Sequence, residues 1–449
     1  MFDYCIIGGG PGGIFCADKL SLLGYKVCLI ESLESLGGCH RVRYVNDFNN
    51  LIHTEHGPRI YLASYLDFWE WIKSIDVLPE KDFTKYINRE LASDMLNYSL
   101  QFKIFEIFIL VIAYIIQNIL RIDFSQNYTV DNLMEDTYFT DEGKNRLNRL
   151  CRLMDGGNVD KTAVISLLNT LDVMFMPTYP IYQPKKPMDN LLWNKFYDKL
   201  INQNVKILMN TPVLEINRGK VITNNNIIDT NNIILTIPPY ALNKIKNSPS
   251  LVGYDTIQFN NLSNYQQYEP YVCATIGFKD KSSVESWGIA DEHPWGFIPI
   301  DMGKYFEDTT GSLFIVSITH PEKIDPKTKK TANEMDKNEF LDRIVELIKE
   351  RFNISDEPIS KTLSPNVKKI NGGWIENDRS FLYSPPGWLK PNFDISKKNK
   401  IYTTGYHIGN SYHHYNSMEA AIQNASELLS KIEPKYNYKI SSPWRLSSI

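Results

Sequence analysis

The spacing of apolar and polar positions changes period within the first thirty residues. Asp3-Tyr-Cys-Ile-Ile7 is a short apolar run that stops at Gly8-Gly9-Gly10-Pro11-Gly12-Gly13, after which Ile14, Ala17, Leu20 and Leu23 recur at helical spacing. Gly24 closes that helix, and Lys26 to Ile30 is a second apolar run ending on Glu31. Strand, glycine turn, helix and strand in about thirty residues make a βαβ unit.

Farther along, Phe196 to Ile201 predicts a helix, and short β-rich pieces follow at 205–208, 213–216, 220–223 and 232–237, ended by Pro238-Pro239. The tract 224–232, with five Asn among nine residues, reads as a hairpin turn and adjacent loop. Residues 268–320 are strand-like, 336–352 form an amphipathic helical pattern, and 373–400 are rich in Pro, Gly and aromatics. Phe102 to Phe124 is the most apolar stretch, yet it contains Lys103, Glu106, Arg121 and Asp123, leaving only Ile107 to Leu120 free of charge. A bilayer span needs about 20 apolar residues. The stretch is therefore expected to be a buried core helix, ahead of an interfacial anchor and a membrane span.

Composition narrows the class. A chain of 449 residues with 43% hydrophobic and 22% charged residues suits two or three folded domains, and its net charge of -4 does not recommend nucleic acid as a partner. The six cysteines form no Cys-x-x-Cys pair and show no zinc spacing with the eight histidines, so no metal is expected and a reducing compartment fits. The first residues lack the basic flank and cleavage site of a secretory signal. An intracellular, cytoplasmic protein is expected, with peripheral membrane contact as the exception.

Gly8-x-Gly10-x-x-Gly13 sits at the strand-to-helix turn where a dinucleotide site needs it. The first glycine permits the turn, the second lets backbone approach a pyrophosphate, and the third packs helix on strand. Helix amides then face the phosphates, and Glu31 is placed to accept hydrogen bonds from ribose hydroxyls. An acidic residue there disfavours a 2'-phosphate, but this unit alone leaves FAD and NAD open.

Glu31-Ser-Leu-Glu-Ser-Leu-Gly-Gly-Cys-His-Arg-Val-Arg43 resembles the acidic and Gly-Gly-Arg segment of the flavin-containing amine oxidase superfamily. Gly405 with Ser417-Met-Glu-Ala-Ala-Ile422 is similar to its C-terminal flavin motif, and Asn210 to Ile216 with Ile233 to Pro239 is similar to the strands closing its FAD domain. The resemblance implies an α/β fold with FAD as cofactor: a discontinuous Rossmann-type FAD-binding domain (1–62, 200–250, 370–435), an inserted α+β substrate domain (63–199, 251–369) and a tail (436–449). With the glycine fingerprint it implies cofactor contacts from Gly8, Gly10, Pro11, Gly12, Gly13, Glu31, Ser32, Gly38, Cys39, Arg41, Gly57, Arg59, Val213, Gly405, Ser417, Met418 and Ala421. His53 to Tyr61 also resembles the Gly-Pro-His segment of UDP-galactopyranose mutases, with Arg59 at the histidine position.

Departures from the superfamily pattern bear on chemistry. Cys39 replaces the arginine after Gly-Gly, so Arg41 or Arg43 would have to supply that charge. On the strand Tyr271 to Phe278, Cys273 is the nearest match to the lysine that holds a water against the flavin. The two flanking aromatics fall near Ser380 or Phe381 and at Ser417. Simple amine oxidation is accordingly less expected than hydride transfer to FAD from another, larger organic substrate, with reoxidation by oxygen. A mutase-like sugar isomerase and a non-catalytic flavoprotein scaffold are the alternatives.

The resemblance aims the loop Gly405 to Asn416 at the flavin ring, which makes His407, Tyr412, His414 and Tyr415 candidates for proton transfer, with hydrogen-bonded structural roles as the alternative. Arg59 could hold the flavin edge or an anionic substrate group, or form a salt bridge. Trp374, Phe381 and Tyr383 could wall the substrate or be ordinary core aromatics. The expected partner is a small molecule.

Overall fold

A computed structural model describes residues 1–47, 50–54, 60–86, 102–120, 122–125, 127–155, 157–174, 181–247, 272–283, 293–376, 400–409, 411 and 417–437. Strand β1 (Phe2–Ile7) runs into helix α1 (Pro11–Leu22), β2 (Val27–Ile30) returns parallel to β1 with Cys5 opposite Cys28, and β3 (Arg43–Asp47) pairs antiparallel with β4 (Asn50–Thr54). Strands β1 and β2 are read as near-continuous apolar runs because the sheet is covered on both faces.

Strand β8 (Lys206–Leu208) lies beside β2, and the long β11 (Ile227–Leu235) lies on the other side of β1. Strand β18 (Ile401–Thr403) joins β11 with Ile401 opposite Ile233, far along the chain, so the parallel order is β8-β2-β1-β11-β18. Strands β9 (Val213–Asn217) and β10 (Lys220–Thr223) continue antiparallel from the first half of β11. The asparagine tract differs from its expected loop. The hairpin turn stops before Ile227, and Asn231 and Asn232 lie inside β11, where β1 pairs with their backbone and Asn232 Nδ2 donates to the Asp3 carbonyl at 3.0 Å.

A helical layer packs on this sheet. Helices α2 (Leu66–Ile72) and α7 (Asn194–Asn202) lie against α1, with Trp71 stacked on Phe196 at 4.0 Å between ring centroids. Asp18 of α1 is fully buried there, and Lys199 Nζ at 2.7 Å, Trp71 Nε1 at 3.1 Å and Gln203 Nε2 at 3.0 Å satisfy its carboxylate. Those partners are what a charge needs when it is taken from water. Residues 61–86, with the small sheet of β5 (Tyr61–Leu62), β6 (Phe83–Tyr86) and β7 (Ile181–Pro184), and residues 188–200 share this first core. Sequence reasoning had placed most of them in the inserted domain.

The second core lies between a four-stranded antiparallel sheet and α8 (Lys337–Phe352). Its order is β13 (Phe297–Asp301), β14 (Ser312–Ile318), β12 (Val272–Phe278), β15 (Pro358–Leu363). Val272, Ala274, Ile276 and Phe278 of β12 enter that core, as period-two alternation requires. The hairpin β16 (Val367–Ile370) and β17 (Gly373–Glu376) packs with it through Val367 and Trp374.

A third apolar cluster is all helical: α3 (Ile104–Tyr114), α4 (Val130–Asp136), α5 (Asp141–Asp155) and α6 (Val164–Met174). The apolar stretch does form a helix, α3, but it is not wholly buried: Ile104, Phe108 and Ile119 are exposed. Among the described residues no helix is long and apolar enough to cross a membrane.

Candidate dinucleotide site

Two glycine turns meet at the ends of β1 and β2. Gly10 caps α1 in an extended conformation and Pro11 takes the first helical position, where its fixed φ suits the helix and its missing N–H costs nothing. Across from it, Gly38 has φ +58°, and a Cβ there would lie 2.9 Å from Gly10 Cα. Only glycine meets both demands. Gly13 serves packing instead: a Cβ would come 1.9 Å from the Gly8 carbonyl oxygen, so α1 can lie this close to β1 only without a side chain.

The turns open into a cavity of about 390 Å³. Gly8, Gly10, Pro11 and Gly12 form one wall, and Gly38, Cys39 and Arg41 face them. Glu31 and Ser32 stand at the end of β2, where the Glu31 carboxylate accepts from Gly9 N at 2.7 Å and Leu33 N at 2.9 Å. Pro212, Val213, Tyr240, Ala241 and Ile245 supply an apolar slot beside Glu31, and Lys244 Nζ lies 5.3 Å from the Tyr240 ring centroid.

The far wall is built by the C-terminal part of the chain. Gly405, Tyr406 and His407 come from the loop after β18, and Ala421 from the first turn of α9 (Met418–Ile432), whose cap Ser417 accepts from Ala420 N at 3.0 Å. The N-termini of α1 and α9 thus converge, a Cβ on Gly12 falling 3.4 Å from the Ala421 carbonyl. Aligned amides at two helix starts make this wall favourable for negative charge.

Arg41 and Arg43 both lie close enough to Cys39 in sequence to replace the missing cation, and Arg41 is the one expected to contact the cofactor. The fold separates them. Arg41 lines the cavity and its Nη1 donates to the Gly38 carbonyl at 2.7 Å, while Arg43 Nε lies 3.6 Å from Glu34. Burial, and then the charge of Arg43, weaken the hold of Arg41 on its proton, though guanidinium still remains the charged form at neutral pH.

Several expected site residues sit elsewhere. Trp374 is a core residue: its Nε1 donates to the Ala332 carbonyl at 3.0 Å and its ring stacks on Phe340, so it does not form a substrate wall. Met418 is buried in the first core, Ser417 acts as a helix cap, and Gly13 packs helix on strand; none of the three lines the cavity. Gly57, Arg59, Phe381, Tyr383, Tyr412, His414 and Tyr415 lie outside the described residues. Cys273 faces away from the second core, with Sγ 3.4 Å from Ser317 Oγ, and no lysine occurs on β12.

Two supporting residues escaped the sequence reading. Thr236, just past β11, donates from Oγ1 to the Gly8 carbonyl at 2.9 Å and so pins the first glycine turn. Asn424 is fully buried on α9, donates to the Gly405 carbonyl at 2.7 Å and accepts from Ser411 N at 2.9 Å, holding both ends of the His407 loop. A threonine at a strand end and an asparagine inside a helix carry no distinctive spacing, so only the contacts identify them.

The fold and the cavity define a dinucleotide-binding α/β protein with an inserted second unit. A sequence profile for NAD(P)-binding Rossmann-like domains matches residues 6–75, the stretch containing the first turn and Glu31. Solved structures with the same fold include a putrescine oxidase bound to putrescine, at 11% identity and TM-score 0.62 over 96% of this chain and 98% of that one. Cyclohexylamine oxidase from Brevibacterium oxydans IH-35A matches at 13% identity and TM-score 0.61 over 97% and 99%. An oxidoreductase from Methanosarcina mazei matches at 11% identity and TM-score 0.62 over 95% and 100%. Near-complete coverage in both directions means that the nucleotide unit and its insertion are shared as one architecture.

Proposed function

We propose that the protein is an FAD-dependent oxidoreductase that takes a hydride from a small organic molecule. The observation that carries the reading is the apposition of Gly10 and Gly38 in a cavity that runs from Glu31 to the His407 loop. That run suits a dinucleotide with a third ring system beyond the pyrophosphate, and the sequence resemblance to flavin amine oxidases and the fold shared with two amine oxidases support FAD as that group.

The cavity residues fit the group. Glu31 has acceptor capacity for ribose hydroxyls beyond its two backbone contacts, the Pro212 to Val213 slot suits an adenine face, and Arg41 with the two helix starts suits pyrophosphate. FAD, when bound, supplies the hydride acceptor. The chain binds and orients it, and His407, 3% exposed and on the cavity wall, is the described residue placed to hold or move a proton at an imidazole nitrogen.

The substrate is inferred to differ from a simple amine, because β12 offers the thiol of Cys273 instead of a lysine. Anaerobic mixing of the purified yellow protein with pools of amines, polyamines, prenyl compounds and nucleotide sugars tests this by flavin absorbance. Bleaching by the polyamine or prenyl pool, with colour restored by air and no bleaching by simple amines, is the expected result; bleaching by simple amines would overturn the inference drawn from Cys273. Turnover of a nucleotide sugar only after chemical reduction would replace the oxidase reading with a mutase. Folded protein that retains no FAD would end both.

A further inference from the structure

Helix α3 continues through a wide turn, Ile115–Ile119, and is built inside out. At about 100° per residue, Glu106, Ala113 and Gln117 share one side, which is buried. Ile104, Phe105, Phe108, Val111, Ile112, Ile115 and Ile119 occupy an arc of about 120° on the opposite side, and all are exposed, Ile104 by 88%, Phe108 by 64% and Ile119 by 62%. The polar groups face inward and are satisfied. Glu106 accepts from Thr140 N and Lys103 N, each at 2.7 Å, while Gln117 donates to Asp123 at 2.7 Å and accepts from Phe124 N at 2.9 Å.

Tyr138 extends the outward strip, its ring lying 5.4 Å from that of Phe105 and its side chain 70% exposed. With about 200 Å² for a fully exposed large apolar residue, the exposed fractions of the seven helical residues and Tyr138 amount to about 900 Å². The largest apolar patch on an ordinary monomer is about 300–600 Å². Such an area would suffice for one side of a stable dimer, which needs about 800 Å².

The chemistry of the strip selects its occupant. A protein partner brings about one hydrogen bond per 100–200 Å², with Arg, Tyr and Trp anchors. Here the seven helical residues are Ile, Phe and Val, and among the described residues of the strip only Tyr138, at the edge, carries a side-chain hydroxyl. Hydrocarbon requires no such groups. Lys103, exposed at the N-cap of the helix next to Ile104, puts a cation at the end of the strip, within reach of lipid phosphate. We propose that α3 docks this protein on a phospholipid bilayer, lying in the plane of the surface with the Phe108 face sunk among the acyl chains. The inference rests on α3 alone and is independent of the flavin reading.

Sedimentation of the full-length protein with phosphatidylcholine vesicles tests it. Wild type is expected to pellet with the vesicles, and to keep doing so at about 1 M salt, where the Debye length falls to about 3 Å. The double variant Phe108→Glu, Ile119→Glu is expected to lower partitioning at least tenfold with unchanged far-ultraviolet circular dichroism. Should that variant misfold, Ile104→Asp alone is expected to lower it about threefold. Wild type left in the supernatant, variants that pellet equally, or a lipid-free dimer that the substitutions dissociate would each overturn the proposal, the last in favour of a second copy.

Discussion

Glycines five residues or fewer apart in the first turn serve different ends, and substitution separates them. A Cβ on Gly10 meets nothing closer than Gly38 Cα at 3.8 Å, so Gly10→Ala is expected to leave stability within about 1 kcal/mol of wild type. It intrudes on the cavity, however, and bound flavin should fall at least tenfold in the absorbance of purified protein. Gly13→Ala drives a methyl into the Gly8 carbonyl and is expected to cost about 3 kcal/mol or more in urea unfolding. Glu31→Gln puts an amide nitrogen among the donors of Gly9 and Leu33, and flavin retention should again drop about tenfold or more, by dialysis and absorbance. This fingerprint was legible because backbone geometry limits which residues can stand there. Whether Trp374 walls a substrate or joins the core was not, since side-chain direction depends on neighbours remote in sequence.

At the scale of elements, Glu419 joins the C-terminal helix to α2. Its fully buried carboxyl accepts from Asp67 N at 2.9 Å and Phe68 N at 2.8 Å, at the start of α2. Burial, followed by repulsion from the Asp67 carboxylate, raises its pKa well above the ordinary glutamate value, outweighing the two N–H donors that favour the charged form. A raised folded-state pKa means that the native state binds the proton more tightly, so this group favours folding at low pH and its contribution declines as pH rises through that value. Glu419→Ala leaves two buried N–H groups without an acceptor and is expected to cost about 2–4 kcal/mol. Glu419→Gln keeps an acceptor and should cost less, with a flatter dependence of stability on pH; denaturant melts across pH read both. In the sequence, Ser417 to Ile422 stands out only by its resemblance to a flavin motif, which does not show that Glu419 faces α2, because that contact spans some three hundred and fifty residues.

Across the whole molecule, His320 connects the helical cluster to the sheet of the second core. It follows β14, its Nδ1 lies 2.7 Å from Thr319 Oγ1, and its Nε2 lies 3.1 Å from Asn158 Oδ1 in the loop after α5. Burial first, and then the charges of Arg152, Lys323 and Lys161, push its pKa down to about 3. The unfolded chain therefore binds the proton more readily than the native state between about pH 6.5 and 3. Stability from this group is complete above that window and declines as pH falls through it, by up to about 1.4 kcal/mol per pH unit. His320→Gln is expected to remove that component. Glu419 acts with the opposite sign over part of the window, so the difference between wild-type and variant unfolding free energies, measured at each pH, isolates the histidine.

The sequence by itself determined the βαβ start, the acidic residue at the end of β2, the later strands up to Pro238 and the long helix α8. Each of these follows from local periodicity or from a backbone conformation that few residues can adopt. The tertiary structure decided that β18 completes the first sheet, that residues 61–86 pack with α1, and that the Asn tract enters a strand, because parallel pairing joins segments with no local signal of their partner. It also decided which side of α3 faces out. A helix apolar on nearly every side has no pattern to show its inward face; here the satisfaction of Glu106 and Gln117 inside the cluster fixes that orientation.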